Sequence, residues 1–571
     1  MGKRVTIDPI TRIEGHLRVD CDFDEKDGKA LVSKAWASGT MWRGVEQILL
    51  GRDPRDAWAI TQRFCGVCTT VHAIASVRAV ENALGMPVPK NAQYIRNMII
   101  AAHAIHDAIV HFYQLSALDW VDVTSAAKAD PAASAKLGEG LSAWPNNGTT
   151  VMAETKQRLV KLLESGQLGP FANGYWGHAA MKLSPEVNLL AVTHYLQALE
   201  VQRRANKIVS ILGGKTPHVQ NLAVGGVANA VSLDSPGVLT VERLLAVKEA
   251  IDELKAFVHQ VYNVDVAAIA AFYPEWTTIG RGVTHYLAAP EYPLDERGTH
   301  FDTVGGYLAN GALESFKPIS AFGDPLLRDN VEESVKHAWY KGGRGALHPY
   351  KGETVAQVGE FREDGKYSFV KSPTFQGQPA QVGPLARVLA AVAAKHQPVI
   401  DHLNRVLGTV EALTQSKLPL EALHSSLGRH AARSVMCAMN VDVLERQWKL
   451  LMENLATGDV KTFERPVFPK GEIQGFGIHE APRGILSHWV VIKDGVIENY
   501  QAVVPTTWNA APRNEEDAPG PYEASLVGTP LADPERPLEV LRTIHSFDPC
   551  LACAVHLVDK DQRAVIDVRV L

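Results

Sequence analysis

The chain has 571 residues, 46% of them hydrophobic and 21% charged, with a formal net charge of -6, so it can bury a large core and shows no compositional sign of disorder. It has no block of Lys and Arg to track a phosphate backbone, so nucleic acid is not expected as a partner. The most apolar stretches, 264–272 and 388–394, fall far short of the roughly 20 residues of a membrane span, and six cysteines are too few for a disulfide-stapled domain.

The opening MGKRVTIDPITRIEGH carries neither the apolar core of a secretory signal nor a twin-arginine pair, so any export is expected to rely on a partner's signal. The first 35 residues read as short strands broken at Gly15 and Gly28. After Met41 the period turns helical, with Asp53-Pro54 as a cap and a run from Ala57 leading to Cys65. Long helices are predicted at 91–118, 184–212, 240–272, 384–407 and 418–455; Ser184 caps the second, Pro185 opens it and Gly213-Gly214 end it. The stretches 273–324 and 340–383, rich in Gly, Pro and aromatics, read as surface excursions or small sheets. Strands return at 489–492 and 496–504, followed by a helix near 538–545 and a strand at 564–571. The fold class is mixed α/β, helix-rich, with long central helices and small peripheral sheets.

RFCGVCTTVH supplies Cys65, Cys68 and His72, and FDPCLACAVH supplies Cys550, Cys553 and His556. Each end thus offers two thiols and then an imidazole. Cysteines three apart can face one ion from a tight turn or helix N-terminus, where backbone N–H groups favour thiolates. Gly66 is expected to permit a close backbone approach, and Pro549 to fix the chain before Cys550. The alternative is a structural zinc knuckle without catalysis, but knuckle pairs sit roughly 15 to 20 residues apart, whereas 482 positions separate Cys68 from Cys550. Four thiolates suit zinc, nickel, iron or iron-sulfur centres, so ligand type leaves the metal open. Length alone suggests roughly three or four domains, but the cysteines predict one body whose two ends meet at the metal.

Taken singly, the other polar residues read as ordinary. Glu14 is a solvated glutamate in a turn, Glu46 is exposed, and Asp107 is a helix-surface ion pair. Asp548 caps a turn, Thr506 sits in a strand, and His72 is a satisfied core histidine.

The two cysteine motifs, with DPITRIEGHLRV, GTMWRGVE, AHAIHDAIVHFYQLSALDWVD, FANGYWGHAAMKL, EAPRGILSHW and NYQAVVPTTWN, resemble the large subunit of nickel-iron hydrogenases over nearly the whole chain. The membrane-bound respiratory uptake group is the most similar. This resemblance implies reversible heterolytic oxidation of H2 to protons and electrons. Cys65 and Cys550 would be terminal on nickel, while Cys68 and Cys553 bridge to an iron carrying carbon monoxide and cyanide. Selenium-containing relatives carry selenocysteine where this chain has Cys550, so the plain nickel-iron form is implied.

By the same resemblance Glu14 relays protons, and Arg483 stands over the metals held by Asp107 and Asp548. Pro482, Arg483 and Thr506 would face the cyanides, with His72 beside the metals. Glu46, the Ala502 carbonyl and His556 would hold magnesium, which needs few protein ligands. Val67 and Leu115 fall where a gas tunnel narrows, although core packing explains them equally well.

Segment 1–556 would be the catalytic body and 557–571 an extension removed by a C-terminal endopeptidase after metallochaperones have delivered the metals. With four cysteines used at the metals, only Cys21 and Cys437 remain, so a small subunit must carry the iron-sulfur clusters. Co-export with that subunit to the periplasmic side of a membrane is implied, with a cytoplasmic complex as the alternative. Quinone-reducing respiratory relatives of this fold lack the complete cysteine set.

Overall fold

The computed structural model describes residues 3–26, 28–172, 174–231, 239–342 and 345–554. His556 and the strand expected at 564–571 lie outside them. An antiparallel meander opens the chain, β1 (Lys3–Ile7), β2 (Leu17–Lys26) and β3 (Lys29–Gly39), in the register Val5↔Cys21↔Ala35. Period-2 alternation turns Leu17, Val19, Cys21 and Phe23 to one face, where they pack with Val540, Leu541, Ile544 and Phe547 from the far end of the chain. Pro530–Leu531 adds a fourth strand beside β3. The two chain ends therefore share a core.

Helix α1 (Val71–Leu84) ends at Gly85 in left-handed geometry, and α2 (Lys90–Val110) follows. Helix α2 is buried on nearly every face, so its polar residues must be matched internally. Arg96 pairs with Glu81 at 2.7 Å, Asn97 with Gln447 at 3.0 Å and Asp107 with Arg483 at 2.7 Å. Helices α3 (Pro185–Gly213), α4 (Val241–Phe257), α5 (Pro384–Ala393) and α6 (Ser426–Ala456) close around it, burying Met98, Ile105, Ile208, Leu254, Val435 and Met439. Next come the meander β4 (Glu472–Ala481), β5 (Gly484–Lys493) and β6 (Val496–Val503), then α7 (Leu538–Ser546).

Most predicted helices are present, and their departures have local causes. Ser184 caps α3 by accepting from the Val187 N–H at 3.4 Å, and Gly214 ends it at φ +82. The stretch 91–118 continues past α2 as a π-helical segment, 111–116. The run 240–272 likewise passes through a π-helical segment, 258–262, before Asn263–Phe272. The helix expected over 384–407 is two, since Lys395 takes φ +57 and Pro398 can only sit in a first turn, that of Gln397–Thr414. The last long helix begins at 426 rather than 418, where Ser425 leaves helical geometry and accepts from the Gly428 N–H at 2.9 Å.

Asp53-Pro54 is a turn and not a cap: Asp53 accepts from the Arg55 N–H, and the short helix starts only at Ala57. Helices Pro131–Leu141 and Thr149–Glu164 and strand β4 were not foreseen. Strand β4 is masked by Gly475 and Gly477, which read as breakers. They are what lets α1 lie against it, because a Cβ at either would come within 2.4 Å of helix backbone near Ala75, Ala79 and Ala83.

A metal centre closed by both chain ends

All four cysteines of the two motifs are free and buried, and their sulfurs lie within 4.8 Å of one another. Cys65 follows a 3-10 turn, 62–64, and its sulfur accepts the Val67 and Cys68 N–H groups at 3.3 Å each. Cys68 leads into α1, while Cys553 rides the helical turn Leu551–Ala554. Cys68 and Cys553 form the closest sulfur pair at 2.7 Å; Cys550 is 3.1 Å from Cys553, 3.5 Å from Cys65 and 3.6 Å from Cys68. Burial opposes a thiolate at Cys65, yet S–H donors from the other three hold its pKa well below the usual value. Burial pushes Cys68 up to about 12 and raises Cys550 and Cys553 well above the ordinary thiol range. The protein alone thus favours one thiolate, and ionising all four needs a cation among them. This donor set fits a soft transition-metal centre.

The C-terminal pair is held by the N-terminal loop. Residue Glu14 forms a parallel bridge with Cys550: its N–H donates to the Pro549 carbonyl at 3.3 Å, and its own carbonyl accepts from the Leu551 N–H at 2.8 Å. Its carboxylate accepts from the Ala552 N–H at 2.9 Å and lies 3.2 Å from the Cys550 sulfur. Glu14 is therefore mostly buried against Cys550, not solvated. Burial, with the charge of Cys65 adding to it, pushes its pKa up to about 7. Gly15 suits this close approach: it takes φ +79, and a Cβ would sit 2.5 Å from the Ala552 nitrogen. Arg43 reaches the Phe64 and Ala552 carbonyls, joining the two motifs. Gly66, in contrast, has nothing within 4 Å of an added Cβ, so the close approach expected there is absent.

Arg483 follows β4 and is wholly buried. Its Nη1 donates to Asp107 at 2.7 Å, its Nη2 to the Asp548 carboxylate at 2.8 Å and its Nε to the Asp548 carbonyl at 2.9 Å. Burial works against the guanidinium, but the two carboxylates outweigh it and raise its pKa well above the usual value. Asp107 is thus no surface ion pair, and burial raises the pKa of Asp548 to about 6. Beside the sulfurs a small chamber is lined by Cys68, Cys553, His72, Pro482, Arg483 and Thr506, with Cys550 also on its wall and Cys65 outside it. Thr506 accepts the Cys550 N–H at 3.2 Å, leaving its own proton to donate elsewhere. His72 Nδ1 meets His488 at 3.0 Å, and His488 meets Tyr500 at 2.7 Å. His72 Nε2 is buried without a partner, and burial lowers its pKa to about 3, so the ring is neutral. A structural zinc site is closed and needs no such chamber. Val67 and Leu115 are both only partly buried.

Glu46 is buried rather than exposed, and accepts from the Ala502 N–H at 2.9 Å and from the Thr354 hydroxyl. Lys371 stands 4.0 Å from Glu46 and 3.5 Å from Glu333, and donates to Gln501 at 2.7 Å. Two buried carboxylates face one ammonium, and Glu333 Oε1 has no partner. Glu333, Thr354, Lys371 and Gln501 were missed, since nothing in their spacing separates them from ordinary polar residues. His556 cannot be placed, being outside the described residues.

Residues 43–556 match the model of the nickel-dependent hydrogenase family, and residues 4–30 match a HoxL-like model. The chain is 56% identical to the hydrogenase-2 large chain of Escherichia coli K12 over 100% of both chains. It is 44% identical to the uptake hydrogenase large subunit of Rhizobium leguminosarum bv. viciae, over 100% of this chain and 98% of that one. A solved [NiFeSe] hydrogenase of Desulfovibrio vulgaris Hildenborough superposes with a TM-score of 0.78 at 32% identity, covering 97% of this chain and 100% of that one. With four convergent cysteines, an arginine-capped chamber and matches spanning the whole chain, the protein belongs to the nickel-dependent hydrogenase family, as a large subunit.

Proposed function

We propose that this large subunit catalyses the reversible heterolytic oxidation of H2, with Cys65 and Cys550 terminal on nickel and Cys68 and Cys553 shared with an iron that carries carbon monoxide and cyanide. The observation that supports this reading is the chamber, lined by Cys68, Cys550 and Cys553 together with Arg483 and Thr506; which cysteines are terminal and which are shared is what the family resemblance implies. Bound there, the metals supply the Lewis acidity that polarises H2. Pro482, Arg483 and the Thr506 hydroxyl then line the chamber where anionic diatomic ligands need donors. Arg483, fixed by Asp107 and Asp548, keeps a positive charge over a site rich in negative charge. His72 stays neutral beside the same space, its Nε2 buried without a partner.

Glu14 takes the proton away. Its carboxyl lies 3.2 Å from the Cys550 sulfur, and its pKa near 7 suits both uptake and release. Electrons leave through a partner, because the chain's other cysteines are only Cys21 and Cys437, both buried singly. That partner is an iron-sulfur small subunit. The buried carboxylate excess at Glu46 and Glu333 fits a magnesium ion, held by Glu46, the Ala502 carbonyl and His556. Removal of 557–571 by an endopeptidase, after metallochaperones have loaded the centre, would let His556 reach it. No described helix is long and apolar enough to cross a membrane, so membrane association on the periplasmic side would come through the small subunit. The test is H2-driven dye reduction together with D2/H+ exchange by the purified heterodimer; a fully metallated complex that shows neither would refute the assignment.

A further inference from the structure

A second small cavity lies behind the Arg483–Asp548 pair, its polar wall formed by Asp548, Arg387, Arg433 and Asn440 and its apolar wall by residues such as Pro482 and Met436. Its walls carry unmet hydrogen-bonding capacity. Asp548 spends one carboxylate oxygen on Arg483, and the other, Oδ2, is buried without a partner. Arg433 Nε and Arg387 Nε and Nη2 are likewise buried and unpartnered. Among the described residues neither arginine has a carboxylate within ion-pair distance, and both are at most 4% exposed. A buried acceptor and several buried charged donors around one small cavity, none with a protein partner, are costly when dry, and a cavity of this size has room for one water.

Arg433 is also tied to the metal-bearing segment. It stands one helical turn after Arg429 on α6; its Nη2 donates to the Ser546 carbonyl at 3.0 Å, and Arg429 Nε donates to the Ser546 hydroxyl at 2.7 Å. Ser546 ends α7, so the two arginines meet the helix terminus at its negative end, just ahead of Asp548 and Cys550. The geometry points to Arg433 as a positioning residue: through a buried water bridging its Nε, Arg387 and Asp548 Oδ2, it fixes Asp548 and thereby the guanidinium of Arg483 over the metal chamber. Arg433 touches no reacting atom, and its effect passes through Asp548.

This inference rests on the proposed placement of Arg483 beside the metals, and its test separates the two. A high-resolution crystal structure of the wild-type heterodimer should show a water within hydrogen-bond distance of Asp548 Oδ2 and Arg433 Nε; a dry cavity overturns the proposal whatever metal is present. In the variant Arg433→Met, nickel content should persist while the infrared bands of the iron-bound diatomic ligands shift and turnover falls by about tenfold. Arg433→Lys should restore much of both. A merely structural arginine would lower the melting temperature of Arg433→Met and leave the infrared bands where they are, which also overturns the proposal. If Arg433→Met does not fold, the wild-type cavity decides. Absence of nickel and iron from the wild type would instead refute the proposed function.

Discussion

The two cysteine pairs reach the same point by different means. Cys65 and Cys68 stand on a bed made by their own neighbourhood: a 3-10 turn, two N–H groups aimed at Cys65, and the start of α1 directly behind Cys68. Cys550 and Cys553 sit on a short segment gripped from elsewhere, by the Glu14 backbone, Gly15, Arg43 and Thr506. The difference teaches that the first pair is fixed by local folding and the second by docking. Docking of this kind can be completed last, after metal has arrived. The shared core of β2 and α7 brings the ends together, and the metal then supplies the charge that lets four buried thiols ionise.

Four perturbations bear on that contrast. Replacing any one of the four cysteines by serine should give the largest effect, with nickel content and H2 oxidation both falling by more than the ~100-fold typical of a lost second-layer partner; metal analysis and activity on one sample check this. Glu14→Gln should come next, lowering D2/H+ exchange by about 10²- to 10⁴-fold while nickel content is preserved. Exchange at the wild-type rate would remove Glu14 from the relay.

Gly15→Ala should be smaller yet specific to the docked pair. The left-handed backbone costs an alanine about 1–2 kcal/mol, and the added Cβ meets the Ala552 nitrogen, so nickel occupancy should fall severalfold. Gly66→Ala, with open space around it, should leave occupancy unchanged. Equal effects of the two alanines would break the contrast between local folding and docking.

The smallest effect concerns pH. Burial pushes Glu480 up to about 8 and Glu523 up to about 7, from an ordinary 4.5. The folded chain then holds protons that the unfolded chain has released, so these groups lose stability as pH rises towards 8. His72 and His103, lowered by burial to about 3 and about 4, act the other way, but only below 6.5, where the unfolded imidazoles protonate. The thiolate at Cys65, its pKa held well below the ordinary value, pulls the other way across this range, so the melting temperature of Glu480→Gln measured relative to the wild type should rise from pH 6.5 to 8. An unchanged slope in that variant would place the linkage elsewhere.

The two Cys-x-x-C pairs were legible because metal chemistry demands rare residue types at fixed spacings. Glu14, Arg483, Asp107, Asp548 and Thr506 became candidates only through the resemblance of their motifs to a known family, and all of them converge on the cysteines in space. Residues that serve the site through burial alone were not legible. Lys371 and Glu333 count because the fold brings them within ion-pair distance of one another beside Glu46, and Arg433 because α6 passes behind α7. The fold follows the same rule. Helix α3 announced itself through Ser184, Pro185 and Gly214, whereas β4 was hidden by the glycines that make its packing possible, and the break at Lys395 needed the local backbone to be seen.

The central claim is that one thiolate pair from each end of the chain encloses a single nickel. Nickel-edge X-ray absorption on the purified heterodimer tests it most directly. The account predicts a first shell of four sulfurs; a shell dominated by nitrogen or oxygen, or zinc in place of nickel, would contradict it.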